Sequence, residues 1–148
     1  MATRSFIALQ KSKGLLEGVY CHWDGYLRGN GQILLNHYRD PEKVARLLSF
    51  GDISSLGPEI GDPHDFLDRS DLSPTTFYGR DGGEMGFNSR RFRTRKGMLR
   101  HAAGLACEFV YLYQSDGWWY ADRGPQFFAV DNGDEFSEFS PLQSVASF

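Results

Sequence analysis

Cys107-Glu108-Phe109-Val110-Tyr111-Leu112-Tyr113-Gln114-Ser115-Asp116-Gly117-Trp118-Trp119-Tyr120-Ala121 is the stretch that decides the fold class. Cys107 to Tyr113 is apolar at nearly every position, as in a central strand covered on both faces. Ser115-Asp116-Gly117 is a tight turn, and Trp118 to Ala121 returns as the paired strand. Just upstream, Thr94 is placed to cap a helix with Met98, Leu99 and Ala102 inward and Gly104 at its end, although Gly97 weakens that helix. A second anchor is the helix Asp40 to Phe50. Asp40 suits the cap, Pro41 the first helical position and Glu42 the dipole, while Val44, Leu47 and Leu48 form one apolar face before Gly51 stops it.

Further out, Ser5 to Gln10 and Leu15 to Trp23 read as strands joined by the polar turn Lys11-Ser12-Lys13-Gly14. Asp24-Gly25 ends the second strand, and Gly29-Asn30-Gly31 opens a short helix with Ile33, Leu34 and Tyr38 apolar. Residues 51–75 are rich in Gly, Pro, Asp and Ser and read as a long surface loop with a helical turn at Asp65 to Leu67. Thr76 to Tyr78 reads as a short strand, Gly79 to Glu84 as a flexible connection and Gln126 to Val130 as a further strand. The predicted fold is a single α+β domain spanning 1–148, with the tail 132–148 weakly patterned. It has two layers: an antiparallel sheet of about five strands with two or three helices on one face.

The chain has 148 residues, 41% hydrophobic and 24% charged, which is a globular profile. Its net charge of −3 does not suggest a general nucleic-acid binder, so nucleic acid is not the expected partner. Charge is nonetheless segregated. Arg90, Arg91, Arg93, Arg95, Lys96 and Arg100 form a basic run, and Asp116, Asp122, Asp131, Asp134, Glu135 and Glu138 follow as an acidic set. These are either two solvated surfaces facing each other or a patch for phosphate or an acidic partner. The beginning of the chain lacks a signal-peptide pattern and no run reaches transmembrane length, so no membrane partner and a cytosolic location are expected. Cys21 and Cys107 sit in apolar runs and are expected to be buried, reduced thiols. Surplus aromatics, and Phe136, Phe139, Leu142, Val145 and Phe148 in the tail, make a homodimer an expectation.

Thr3-Arg4-Ser5-x-Ile7 and Tyr20-Cys21-His22-Trp23-Asp24-Gly25-Tyr26, followed by Gly29 and Gly31, resemble a family of small accessory proteins encoded by bacteriophages and prophages. The resemblance covers roughly the first third of the chain and extends faintly to Phe77-Tyr78-Gly79-Arg80-Asp81. Leu27 stands where that family often has proline. The resemblance implies an origin in a phage, hence the cytosol of a host cell, and no reaction. Small accessory proteins of this kind often antagonise host defence, so a host defence protein or a small nucleotide-like signal is the implied partner.

Several constellations carry possible chemistry. His22 and Asp24 fall on one side of a strand with Trp23 opposite, so the imidazole and carboxylate could bond each other and serve a phosphodiesterase or hydrolase. Otherwise Asp24 caps a turn and His22 satisfies a backbone group. Cys21, His22, His37 and His64 match no zinc spacing, Gly79 to Gly83 lacks a P-loop lysine, and Ser5 has no nucleophile elbow, so no metal and no cofactor are expected. The arginine and aromatic set is richer. Arg4, His22, Trp23, Asp24, Tyr26 and Arg28 gather at one end of the first hairpin, and Arg80, Trp118, Trp119 and Arg123 would join from other strands to hold a ligand. The alternative is that Trp118 and Trp119 alternate between core and surface, that the arginines pair with aspartates, and that Arg4 locks to Asp24. A phage protein without chemistry is the third possibility.

Overall fold

The computed structural model describes residues 2–123 and 136–143. The first strand, β1 (Ser5–Gln10), pairs antiparallel with β2 (Leu16–Cys21) in a register running from Ser5 opposite Cys21 to Gln10 opposite Leu16. A single 3₁₀ turn, Ser12–Gly14, joins them, with Lys13 and Gly14 both at positive φ. A π-type turn, Leu27–Gly31, then leads into α1 (Gln32–His37), followed by α2 (Pro41–Ser49). Asp40 caps α2 by accepting from the Glu42 N–H, and Gly51 leaves it at φ +81°, as the sequence predicts.

Three short strands follow: β3 (Ile53–Ser55), β4 (Thr76–Phe77) and β5 (Arg90–Phe92). Thr94 caps α3 (Arg95–Gly104) by accepting from the Gly97 N–H. The hairpin β6 (Phe109–Gln114) and β7 (Gly117–Asp122) comes next, and β8 (Ser140–Pro141) closes the sheet. The strand order is β4-β3-β2-β1-β6-β7-β8, with β5 alongside the first half of β2.

This is a mixed α+β fold, and it departs from the predicted one in three ways. Among the described residues the sheet has eight strands rather than about five. It is mixed rather than antiparallel, because β1 pairs parallel with β6 and β2 parallel with β3. Helices cover both of its faces. Ile7, Val19, Cys21, Tyr111 and Trp118 pack with Leu34, Val44, Leu47 and Leu48 of α1 and α2. Phe6, Ala8, Leu16, Val110, Leu112 and Ala121 pack with Met98, Ala102 and Ala103 of α3. The physical reason lies in β1 and β6 themselves. Successive side chains point to opposite faces, and both sets are apolar, so neither face can be left in water.

Residues 51–75 are not a plain surface loop. They contain β3, and Leu56 and Ile60 are buried. The next stretch is knitted around Asp81, whose carboxylate accepts from the Phe77 and His64 N–H groups and pairs with Arg80 at 3.0 Å. The strand predicted from Cys107 begins only at Phe109, since the chain leaves α3 through Ala106 at φ +62°. Cys21 and Cys107 are free thiols, fully buried. Phe136 and Leu142 are buried in the chain's own cores and Phe139 packs beside them, which removes part of the ground for a dimer. Val145, Phe148 and the strand predicted at Gln126 to Val130 lie outside the described residues. Among the described residues no helix is long and apolar enough to cross a membrane.

Candidate functional site

The end of β2 and the start of β1 lie side by side because Cys21 is paired with Ser5. The chain beyond Cys21 is held by inward-facing residues. Asn30 is buried, and its Nδ2 donates to the Trp23 carbonyl at 2.9 Å while facing Cys21 Sγ at 3.3 Å and Ser5 Oγ at 3.4 Å. Gly25 donates its N–H to the Thr3 carbonyl at 2.8 Å, and a Cβ there would sit 2.7 Å from that same oxygen. Its own carbonyl accepts from the Tyr111 hydroxyl at 2.6 Å. A Cβ on Gly29 would lie 2.4 Å from the Asp24 carbonyl oxygen. The glycines and Asn30 are therefore explained by packing of the loop.

The outward-facing residues of the same run are not. Trp23 is 44% exposed and Tyr26 45% exposed, on a backbone pinned from beneath. Arg28 and Asp24 are exposed in the same run. His22 is half-buried, with Trp23 edge-on to it at 4.6 Å between ring centroids. Burial, then the charge of Arg4, hold the His22 imidazole below its usual range, so it sits neutral at pH 7.

The predicted His22–Asp24 hydrogen bond does not form. Asp24 takes a left-handed backbone at φ +59°, which ends the strand alternation on which that expectation rested. His22 Nδ1 instead shares a 2.7 Å hydrogen bond with the Tyr20 hydroxyl, and Asp24 accepts from the Tyr26 hydroxyl at 3.4 Å. Nor does Arg4 pair with Asp24; its guanidinium donates to the Leu105 carbonyl at 3.4 Å. The backbone N–H groups of Gly29, Asn30 and Gly31 are taken by the Tyr26 and Asp24 carbonyls.

Three further site residues are drawn into the fold. Arg80 pairs with Asp81, donates to the Ile60, Gly61 and Thr75 carbonyls, and lies over the Phe77 ring at 4.6 Å. Trp118, only 5% exposed, donates its indole N–H to the Tyr38 carbonyl on the α1–α2 face. Arg123 is 7% exposed and donates to the Cys107 and Ala103 carbonyls, closing the end of α3. The structure thus brings His22 and Trp23 together, sets Asp24 against Tyr26 and lets the Arg4 charge reach His22, while Arg80, Trp118 and Arg123 are engaged elsewhere in the fold.

Sequence reasoning missed Tyr20, the partner that orients His22. A signal was present, since Tyr20 stands two residues before His22 and strand alternation puts both on one face. It also missed His101 of α3, which packs against Phe6 and Phe92 at 5.7 and 5.3 Å on the same face. No local pattern marks that residue. Among the described residues no group of three or more His, Cys, Asp and Glu is placed to hold a metal ion. Comparison with known protein families, curated proteins and solved structures finds no match to this chain.

Proposed function

We propose that this chain is a phage-derived accessory protein that counteracts a host defence system by binding one of its proteins through the Trp23–Tyr26 surface. The observation that carries the reading is a pair of exposed aromatic rings on a loop whose backbone is immobilised by Asn30, Gly25 and Tyr111. Large rings exposed on a pre-organised loop are the anchors that dominate protein interfaces, because little order remains to be imposed on binding. Arg28 and Asp24 provide a charged rim of both signs. The rings stand out into solvent, which favours a protein surface over an enclosed small molecule at this place. The phage origin rests on the resemblance of the Thr3–Ile7 and Tyr20–Tyr26 runs.

The test is infection. Expression of the chain in a host carrying a defence system that restricts a sensitive phage should restore plaques, and Trp23→Ala with Tyr26→Ala should abolish the restoration while the melting temperature holds. Pull-down with both forms then identifies a defence protein retained only by the wild type, and the purified pair should bind directly. If the wild type restores no infection across a panel of defence systems, or the double variant restores it equally, the reading is wrong.

A further inference from the structure

A separate cleft of about 630 Å³ lies at the opposite end of the strands, where the start of α3 meets the β6–β7 hairpin and Phe136–Phe139. Its lining includes the cationic side chains of Arg95 and Lys96 and the rings of Trp119 and Phe139. The groups are held in place. Arg95 donates to Gln114 Oε1 at 2.7 Å, and its guanidinium lies 5.4 Å from the Phe139 ring centroid. The Trp119 indole N–H donates to Asp116 at 2.9 Å, which fixes the plane of the ring. Among the described residues neither Arg95 nor Lys96 has a carboxylate partner. Glu138 lines the same cleft.

We propose that this cleft binds a mononucleotide. The base stacks on Trp119, the phosphate sits against Arg95 and Lys96, and the Glu138 carboxylate accepts from a ribose hydroxyl or a base amino group. Each part has its chemistry. An indole face stacks on any base, a guanidinium matches phosphate oxygens in pairs, and a carboxylate suits hydroxyl and amino donors but repels a bare anion. A site built for phosphate alone would need neither the rings nor Glu138. The volume falls in the range of pockets that take small molecules, about 300–1,000 Å³. Arg95 and Lys96 belong to the basic run of the sequence, yet Trp119 comes from a distant strand, so only the fold brings them together. The proposal is independent of the Trp23–Tyr26 reading and uses none of its residues.

The test is calorimetric titration of the whole chain with adenosine and uridine 5′-monophosphates, adenosine, inorganic phosphate and a ten-nucleotide oligothymidine. At least one mononucleotide should bind saturably at one per chain. Adenosine and phosphate alone should each bind at least about ten-fold more weakly. Trp119→Leu and the pair Arg95→Gln with Lys96→Gln should each weaken binding at least about ten-fold at an unchanged melting temperature. Trp23→Ala should leave it unchanged. Should Trp119→Leu fail to fold, the exposed Arg95 and Lys96 variants decide alone. Absence of saturable binding by both mononucleotides at millimolar concentration overturns the proposal. So does binding that survives the Arg95 and Lys96 changes, phosphate binding as tight as the mononucleotides, or oligothymidine bound more tightly than they are.

Discussion

Asn30 illustrates what single residues do in the Tyr20–Gly31 run. Its amide reaches the Trp23 carbonyl, Cys21 and Ser5 from a fully enclosed position. Asn30→Ala strips those partners of a donor and should cost about 1–3 kcal/mol, read as a lower denaturant midpoint. Trp23→Ala leaves the hydrogen bonds of the loop in place and gives up the edge-on contact with His22, so it should cost about 0.5–1.5 kcal/mol. The contrast separates residues that build the loop from residues that it presents. His22 and His101 add a pH dependence. Burial first, then the charges of Arg4 and Arg90 respectively, lower both imidazoles in the folded protein. The folded state therefore binds protons less readily than the unfolded chain. The contribution is whole above the unfolded histidine range near pH 6.5 and is lost as the pH falls below it. Chemical denaturation at pH 7.5 and 5.5 should show this loss, and His22→Gln with His101→Gln should flatten it. At this scale the sequence was legible where an apolar run dictates burial, as with Cys21 and Cys107, and not for the partners of His22 and Arg4. For Arg80 the alternative of pairing with an aspartate was the right one, in Asp81, but nothing announced Arg123, whose guanidinium donates to backbone carbonyls of Cys107 and Ala103 across the fold.

Elements with complete local signals were legible to within a residue or two. Asp40, Pro41 and Gly51 bracket α2, and the Asp40→Ala change should cost about 1 kcal/mol by removing the acceptor of the Glu42 N–H. The strands β3 and β5 were not legible. Each is three residues long, shorter than any hydrophobic period can show, and exists because β2 offers it a hydrogen-bonded edge. The long connection around Asp81 depends on one buried carboxylate. Asp81→Ala strands Arg80 and frees two backbone N–H groups, so a loss of about 3–5 kcal/mol is expected. Limited proteolysis should report it as new cleavage within 57–82, whereas Asp40→Ala should leave that segment resistant.

For the whole molecule, the enclosed sheet governs the thiols. Burial raises both, with Cys21 pushed up to about 12, so neither forms a thiolate at neutral pH while the fold is closed. Labelling by a thiol reagent should be slow in buffer and complete at both positions in denaturant; fast native labelling would contradict the burial of both faces. The α+β class was legible from the Cys107–Ala121 hairpin and α2, but the second helical layer was not. α3 presents only Met98, Ala102 and Ala103 to its core, too short an apolar stripe to say which face of a sheet it would cover.

The parallel pairing of β1 with β6 has a consequence for how the chain comes into being. Ser5 leaves the ribosome before its β6 neighbour Phe109, and Leu9 waits in the same way for Tyr113. Until then the N-terminal hairpin carries an open edge, with both of its apolar faces incompletely covered. A nascent chain in that condition is exposed to chaperones and to self-association until β6 has followed.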